Sequence, residues 1–256
     1  MGRLLAVLAD RPLPFLRWLR AVRESSPSLP EDQFEMSTAA VCATDAGWDL
    51  VGDATSMASA PPGVALVAHV RARFTAAAPG SRVLGSALVR HGDWVFAHDG
   101  TIEDFSYLIG RTSAARRATT KAEGDGALLL AFILSRIDER TTPGNESLHT
   151  IDHAVAAGAS ELGRRIGSFS FVLSNGRVLY AYRFDRALHF VERQATATEP
   201  SALLVASEPL TREPWLEMRD RTLLAGRRTA AGVDVRFLTG FDPRNAISDV
   251  ELPFTD

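Results

Sequence analysis

The chain holds very little cysteine: Cys42 is the only one. A single thiol excludes an internal disulfide framework and suits a reducing cytosol. Charge of either sign is also not in excess. With 28 basic and 31 acidic side chains the formal net charge is −3, which gives no broad attraction for nucleic acid or an anionic membrane surface. No apolar run approaches the roughly 18 residues needed to span a bilayer. Leu4 to Leu8 is too short, and too soon followed by Asp10, to be a signal-peptide core. A myristoylation signal beginning at Gly2 would want Ser or Thr where Ala6 stands. There are no internal repeats. Gly80, Gly85 and Gly92 fall at expected turns and form no phosphate-binding loop. These absences predict a soluble cytoplasmic protein without nucleic acid or membrane as partner.

What is present is an ordinary globular composition, 256 residues with 46% hydrophobic and 23% charged, enough to bury a substantial core. Short apolar runs predict strands over Arg3–Leu8, Thr38–Thr44, Val64–Val70, Leu84–Val89 and Trp94–Ala97. Asp45-Ala46-Gly47-Trp48 predicts a turn into a paired strand ending near Val51, and Arg90-His91-Gly92-Asp93 a hairpin. Helical spacing over Pro12–Arg23 predicts a first helix. Two longer helices are expected over Gly126–Arg140 and Glu146–Ile166. Strands return over Phe169–Leu173, Val178–Tyr182, Leu188–Val191, Leu203–Ala206, Leu223–Ala225 and Val233–Leu238. Asn175-Gly176 predicts a type I′ turn between the first two. Arg111–Lys121 reads as a flexible basic loop and the segment from about residue 239 to 256 as an irregular tail. Strands, two long helices and strands again point to helices layered on sheets, not to alternating βαβ units. No linker divides the chain, so residues 1–256 are read as one domain.

Two segments carry chemistry. The chain opens Met1-Gly2-Arg3-Leu4-Leu5, and Phe96-Ala97-His98-Asp99-Gly100-Thr101-Ile102 follows a hairpin. Together they resemble the signature segments of class II glutamine amidotransferases, which are N-terminal-nucleophile hydrolases with an α+β, four-layer αββα sandwich. That family opens Met-Cys-Arg-Leu-Leu, and its cysteine, freed by methionine removal, attacks the glutamine amide. Ala68-His69-Val70-Arg71, Gly124-Asp125-Gly126-Ala127-Leu128 and Leu204-Val205-Ala206-Ser207-Glu208-Pro209-Leu210 resemble further segments of a stand-alone branch. That branch includes the γ-glutamyl hydrolase of ergothioneine biosynthesis. The resemblance implies that Arg71 holds a substrate α-carboxylate, suited to a planar guanidinium, and that Asp125 accepts the α-ammonium. It implies no cofactor and no metal.

The departures from the family pattern bear on activity. Gly2 supplies no thiol or hydroxyl, although such enzymes need one at the first mature residue. Asp99 stands where the family's His-Asn-Gly turn has the asparagine that donates to the oxyanion, and loss of one such donor costs about 2.7–4 kcal/mol. An ionised Asp99 also faces the oxyanion with like charge, beside Gly100. Phe74 replaces a small hydroxyl residue, Ala127 replaces a glutamate, and the family's Asn-Thr-His-Pro-Phe segment is not recognisable in Gly85–Val89. Several departures together imply natural loss of amide hydrolysis, a pseudoenzyme whose pocket takes glutamine or a γ-glutamyl compound. Two alternatives stay open. One is an altered amidohydrolase using the Gly2 amine with Asp99; the other is a structural or regulatory subunit of a partner enzyme.

Other candidates have plainer readings. Cys42, in an apolar run, is expected to be inert packing. Arg71 and Asp125 could equally be a buried ion pair left from an ancestral site. His98 is expected to be structural and to point away from the site. His149 and His153, at i and i+4 beside Asp152, could grip a metal but lack a third ligand in the sequence. Arg111, Arg116, Arg117 and Lys121 are expected to be solvated. Trp18, Trp48, Trp94 and Trp215 are read as core.

Overall fold

The computed structural model describes the chain apart from Met1 and residues 25–33, 45–46, 51–61, 75–87, 120–123, 142–146, 241–243 and 245–256. Side chains of residues 23–24, 34–39, 50 and 71–74 also lie outside the description. Two antiparallel sheets pack face to face. In the first, β1 (Gly2–Leu13) lies at the centre, flanked by β4 (Gly63–Phe74) and β10 (Ala202–Ala206). Its outer strands are β2 (Phe34–Thr44) and β3 (Gly47–Leu50) on one side, and β9 (His189–Arg193) and β11 (Leu216–Glu217) on the other. The second sheet has the order β13 (Gly232–Thr239), β12 (Thr222–Thr229), β8 (Val178–Arg183), β7 (Phe169–Ser174), β6 (Trp94–Gly100) and β5 (Leu88–His91).

Period-two alternation explains why β1 can sit between two cores. Leu4, Ala6 and Leu8 join Val67, Val95, Ala97, Val172 and Leu203 between the sheets. Leu5, Val7 and Ala9 face outward to Phe15, Trp18 and Leu19, beneath α1 (Leu16–Glu24). On the far side, α4 (Asp125–Arg140) and α5 (Leu148–Gly163) form the helical layer expected there and cover Phe96, Phe171 and Tyr180. α4 is buried from Gly126 through Ile137 except at Leu128, which is why its sequence is apolar nearly all round. Ser147 caps α5 by accepting the Thr150 N–H at 3.1 Å. The result is the α+β, αββα order, with α1 as the helix on the first sheet. No helix among the described residues is long and apolar enough to cross a membrane.

Several expectations need correction. β1 continues through Pro12 to Leu13, so the first helix begins at Leu16 and not at Pro12. The segment read as a flexible loop holds the end of α2 (Phe105–Arg111) and α3 (Ala114–Thr119). Tertiary bonds fix it: Arg116 grips Asp138 of α4 through two 2.6 Å bonds, and Arg117 donates to the Thr112 carbonyl at 2.8 Å. Arg111 donates to Glu161 of α5 at 3.0 Å, and the Tyr107 hydroxyl does so at 2.6 Å. Burial works against an ionised Glu161, but these bonds and the neighbouring Arg136 hold its carboxyl below its ordinary range. Lys121 lies outside the described residues.

The Asn175-Gly176 hairpin is real, but it is not type I′. Positive φ falls at Gly176 alone, at 81°, while the Asn175 side chain accepts N–H bonds from Arg177 and Val178. Trp18 and Trp48 are buried as expected, whereas Trp94 and Trp215 are half-buried. Of the tail, only Gly240 and Arg244 are described from residue 240 onward, and Arg244 reaches Glu192 at 3.0 Å.

Candidate functional site

Gly2 begins the central strand of the first sheet and is buried. Alternation places it on the face of Leu4 and Ala6, so it looks into the space between the sheets. Register sets Gly2 opposite Arg71 and Leu4 opposite His69. From the other sheet, Asp99 lies on the face of Val95 and Ala97, and its Oδ1 accepts the Gly2 N–H at 2.9 Å. The two sequence segments that carry the resemblance, about a hundred residues apart, therefore meet in one hydrogen bond that bridges the sheets.

The start of β1 is clamped from a third direction. Leu4 N–H donates to Ser207 Oγ at 2.9 Å, and Ser207 N–H returns a bond to the Leu4 carbonyl at 3.1 Å. Arg3 forms an ion pair with Glu208. The Ser207-Glu208 signature thus acts on this chain as a holder of its N-terminal strand.

The decisive geometry is the space around the Gly2 Cα. A Cβ built there would lie 2.4 Å from His69 Nε2 and 2.6 Å from Asp99 Oδ1. Real Cβ atoms essentially never sit so close, so the imidazole or the carboxylate, both side-chain ends, would have to shift to admit one. The volume in which a nucleophile's side chain would begin is filled by an imidazole and a carboxylate. The resemblance implies no role for His69, which stands two residues before Arg71 on one strand, and residues two apart share a face.

The remaining sequence candidates separate. Gly100 adopts φ +135° and pairs with Phe169; a Cβ there would lie 2.2 Å from the Ser168 carbonyl oxygen. His98 is buried on the opposite face of β6, with Phe96, towards the helical layer, as expected. Asp125 is half-buried in the first turn of α4, where a carboxylate complements the helix dipole. Among the described residues no hydrogen bond joins it to Gly2, His69 or Asp99, and it has no ion-pair partner. The Arg71 and Phe74 side chains, and residues 85–87 of the Gly85–Val89 segment, lie outside the description. Ala127 packs in the helix-side core.

Cys42 is fully buried on the α1 side of its sheet, away from Gly2. Burial, and then the charge of Asp49, pushes its thiol up to about 11, so it is no substitute nucleophile. His149 and His153 stack edge to face with ring centres 4.5 Å apart. Their neighbour Asp152 is not available to a metal: it accepts the Tyr180 hydroxyl at 2.8 Å and pairs with Arg227.

The fold agrees with the comparisons to known proteins. The family described as glutamine amidotransferases class-II matches residues 62–201, more than half of the chain. No curated protein matches. Among solved structures, a glutamine aminotransferase class-II domain protein from Silicibacter pomeroyi is 18% identical, with TM-score 0.55 over 91% of this chain and 98% of that one. A protein described as a glutamine amidotransferase from Pseudomonas aeruginosa PA01 is 16% identical, with TM-score 0.60 over 87% and 96%. Glutamine phosphoribosylpyrophosphate amidotransferase from B. subtilis is 13% identical, with TM-score 0.57 over 93% of this chain and 49% of its own. At such identities the structures share the fold alone, and it is the family match that decides membership. The chain belongs to the class II glutamine amidotransferases.

Proposed function

We propose that this chain is an amidotransferase domain that has lost amide hydrolysis and keeps a pocket for glutamine or a γ-glutamyl compound. The observation that carries the first half is the filled space at Gly2. Without a thiol there is no acyl-enzyme step, and Asp99 offers an acceptor where the developing oxyanion needs a donor. The second half draws on register: Arg71 stands opposite Gly2 on the neighbouring strand, where its guanidinium would take an α-carboxylate in a bidentate grip. Asp125 enters through the family resemblance, as the partner of the α-ammonium group. No cofactor is needed for this reading.

Calorimetry with L-glutamine and a γ-glutamyl dipeptide at millimolar concentration tests the pocket. Weak binding is expected, with a thermal shift that grows with ligand concentration by mass action. Arg71→Ala should remove both signals. Neither heat nor shift with either ligand would leave the partner-subunit alternative as the better reading. The altered-hydrolase alternative draws on the Gly2 N–H bond to Asp99, and it requires turnover that the proposed reading denies.

A further inference from the structure

On the outer face of the first sheet, the start of α1 and the β9–β10 connection enclose a groove of about 530 Å³. That volume falls within the roughly 300–1,000 Å³ of small-molecule pockets. Its wall is apolar at Pro14, Leu16 and Trp18, while Arg17, Arg20 and Arg193 supply three cations and Glu199 an acid. Trp18 is 1% exposed, yet its indole Nε1–H has no acceptor. A buried donor left unpaired is costly and uncommon in native proteins. The Arg17 guanidinium carbon lies 4.3 Å from the indole centre and that of Arg193 lies 5.1 Å from it.

The acids nearby cancel only part of this charge. Glu199 meets Arg17 only at 3.7 Å, with both side chains more than half exposed. Glu213 pairs with Arg193. Burial would raise the Glu213 carboxyl, but bonds from Arg193 and Thr211 hold it below the ordinary range. Arg20 has no ion-pair partner among the described residues, and the first turn of α1 carries no acid to offset the positive end of its dipole.

We propose that this groove is a second ligand site, for a small carboxylate with an apolar, flat body. The body would lie against Leu16, Pro14 and Pro200, and the carboxylate would meet Arg20 and the start of α1. The site is separate from the cleft at Gly2: Trp18 belongs to the core on the α1 side of β1, and Gly2 faces the other sheet.

Calorimetry on the full chain with 1-naphthoate, and with neutral 1-naphthamide as control, tests it at low salt. One saturable site is expected for the acid, with the amide about tenfold weaker, a difference of about 1.4 kcal/mol. Arg20→Glu, a change at an exposed position, should weaken the acid about tenfold and leave the melting temperature unchanged. Arg71→Ala should not alter naphthoate binding, which separates this site from the glutamine pocket. Equal binding of acid and amide, an unaffected Arg20→Glu variant, loss of binding in Arg71→Ala, or no saturable heat at millimolar acid would each overturn the proposal.

Discussion

Cysteine placed at position 2 is expected to leave glutamine hydrolysis undetected and to lower the melting temperature. The new Cβ would meet His69 Nε2 at 2.4 Å and Asp99 Oδ1 at 2.6 Å. Both are side-chain ends, so they can move, but His69 is 6% exposed and Asp99 is bonded to the Gly2 N–H. Overpacking of this kind costs about 1–3 kcal/mol, or a few degrees of melting temperature at roughly this chain length. A thiol forced into that space still faces an acceptor at Asp99. In the proposed reading Asp99 replaces an oxyanion donor, a loss worth about 10²–10³ in rate. Gly2→Cys with Asp99→Asn should therefore exceed the single variant by about that factor, and adding His69→Ala should release the remaining crowding. Strong hydrolysis by Gly2→Cys alone would show that position 2 is the only lesion and would point to an engineered substitution.

Gly100→Ala should be the most destabilising small substitution near the site, by about 4 kcal/mol. Its Cβ would lie 2.2 Å from the Ser168 carbonyl oxygen and 2.5 Å from the Phe169 Cα. Both are backbone atoms, one just before β7 and one at its first residue, and cannot swing aside. The φ of +135° adds strain for any L side chain, about 1–3 kcal/mol on top of a similar packing cost. The melting temperature should fall by roughly 10 °C. Gly92→Ala is the control, since its φ is +59° with nothing within 4 Å, and it should cost about 1 kcal/mol. Equal stability of the two variants, by thermal or urea unfolding, would mean that the Gly100–Phe169 register is wrong.

Much of the fold was legible because its strands are short apolar runs between turn residues. Val178–Tyr182 and Leu203–Ala206 emerge within a residue of the observed β8 and β10. What escaped was held by partners distant in sequence. α3 has no apolar face of its own and no buried residue; its Arg116 grip on Asp138 is invisible to local pattern. The two-residue β11 exists only as a pair with β9. At the Asn175 turn the side chain took over the hydrogen bonding that a type I′ backbone would have provided.

The site divides in the same way. Gly2 and Asp99 were readable because motif resemblance fixes their positions, and the packing of one sheet on the other joins them in a hydrogen bond. His69 was not, because a histidine inside a strand of small apolar residues looks like packing until the opposing sheet supplies Asp99. Asp125 enters the proposed pocket through resemblance alone, since its half-buried place at the start of α4 is equally what a helix dipole favours.

The most direct measurement is glutamate release from millimolar L-glutamine by the unmodified chain. Gly2 brings no thiol or hydroxyl to the start of β1, and His69 and Asp99 crowd its Cα, so the rate should match buffer alone. Saturable glutamate release that disappears in Asp99→Ala would contradict the account.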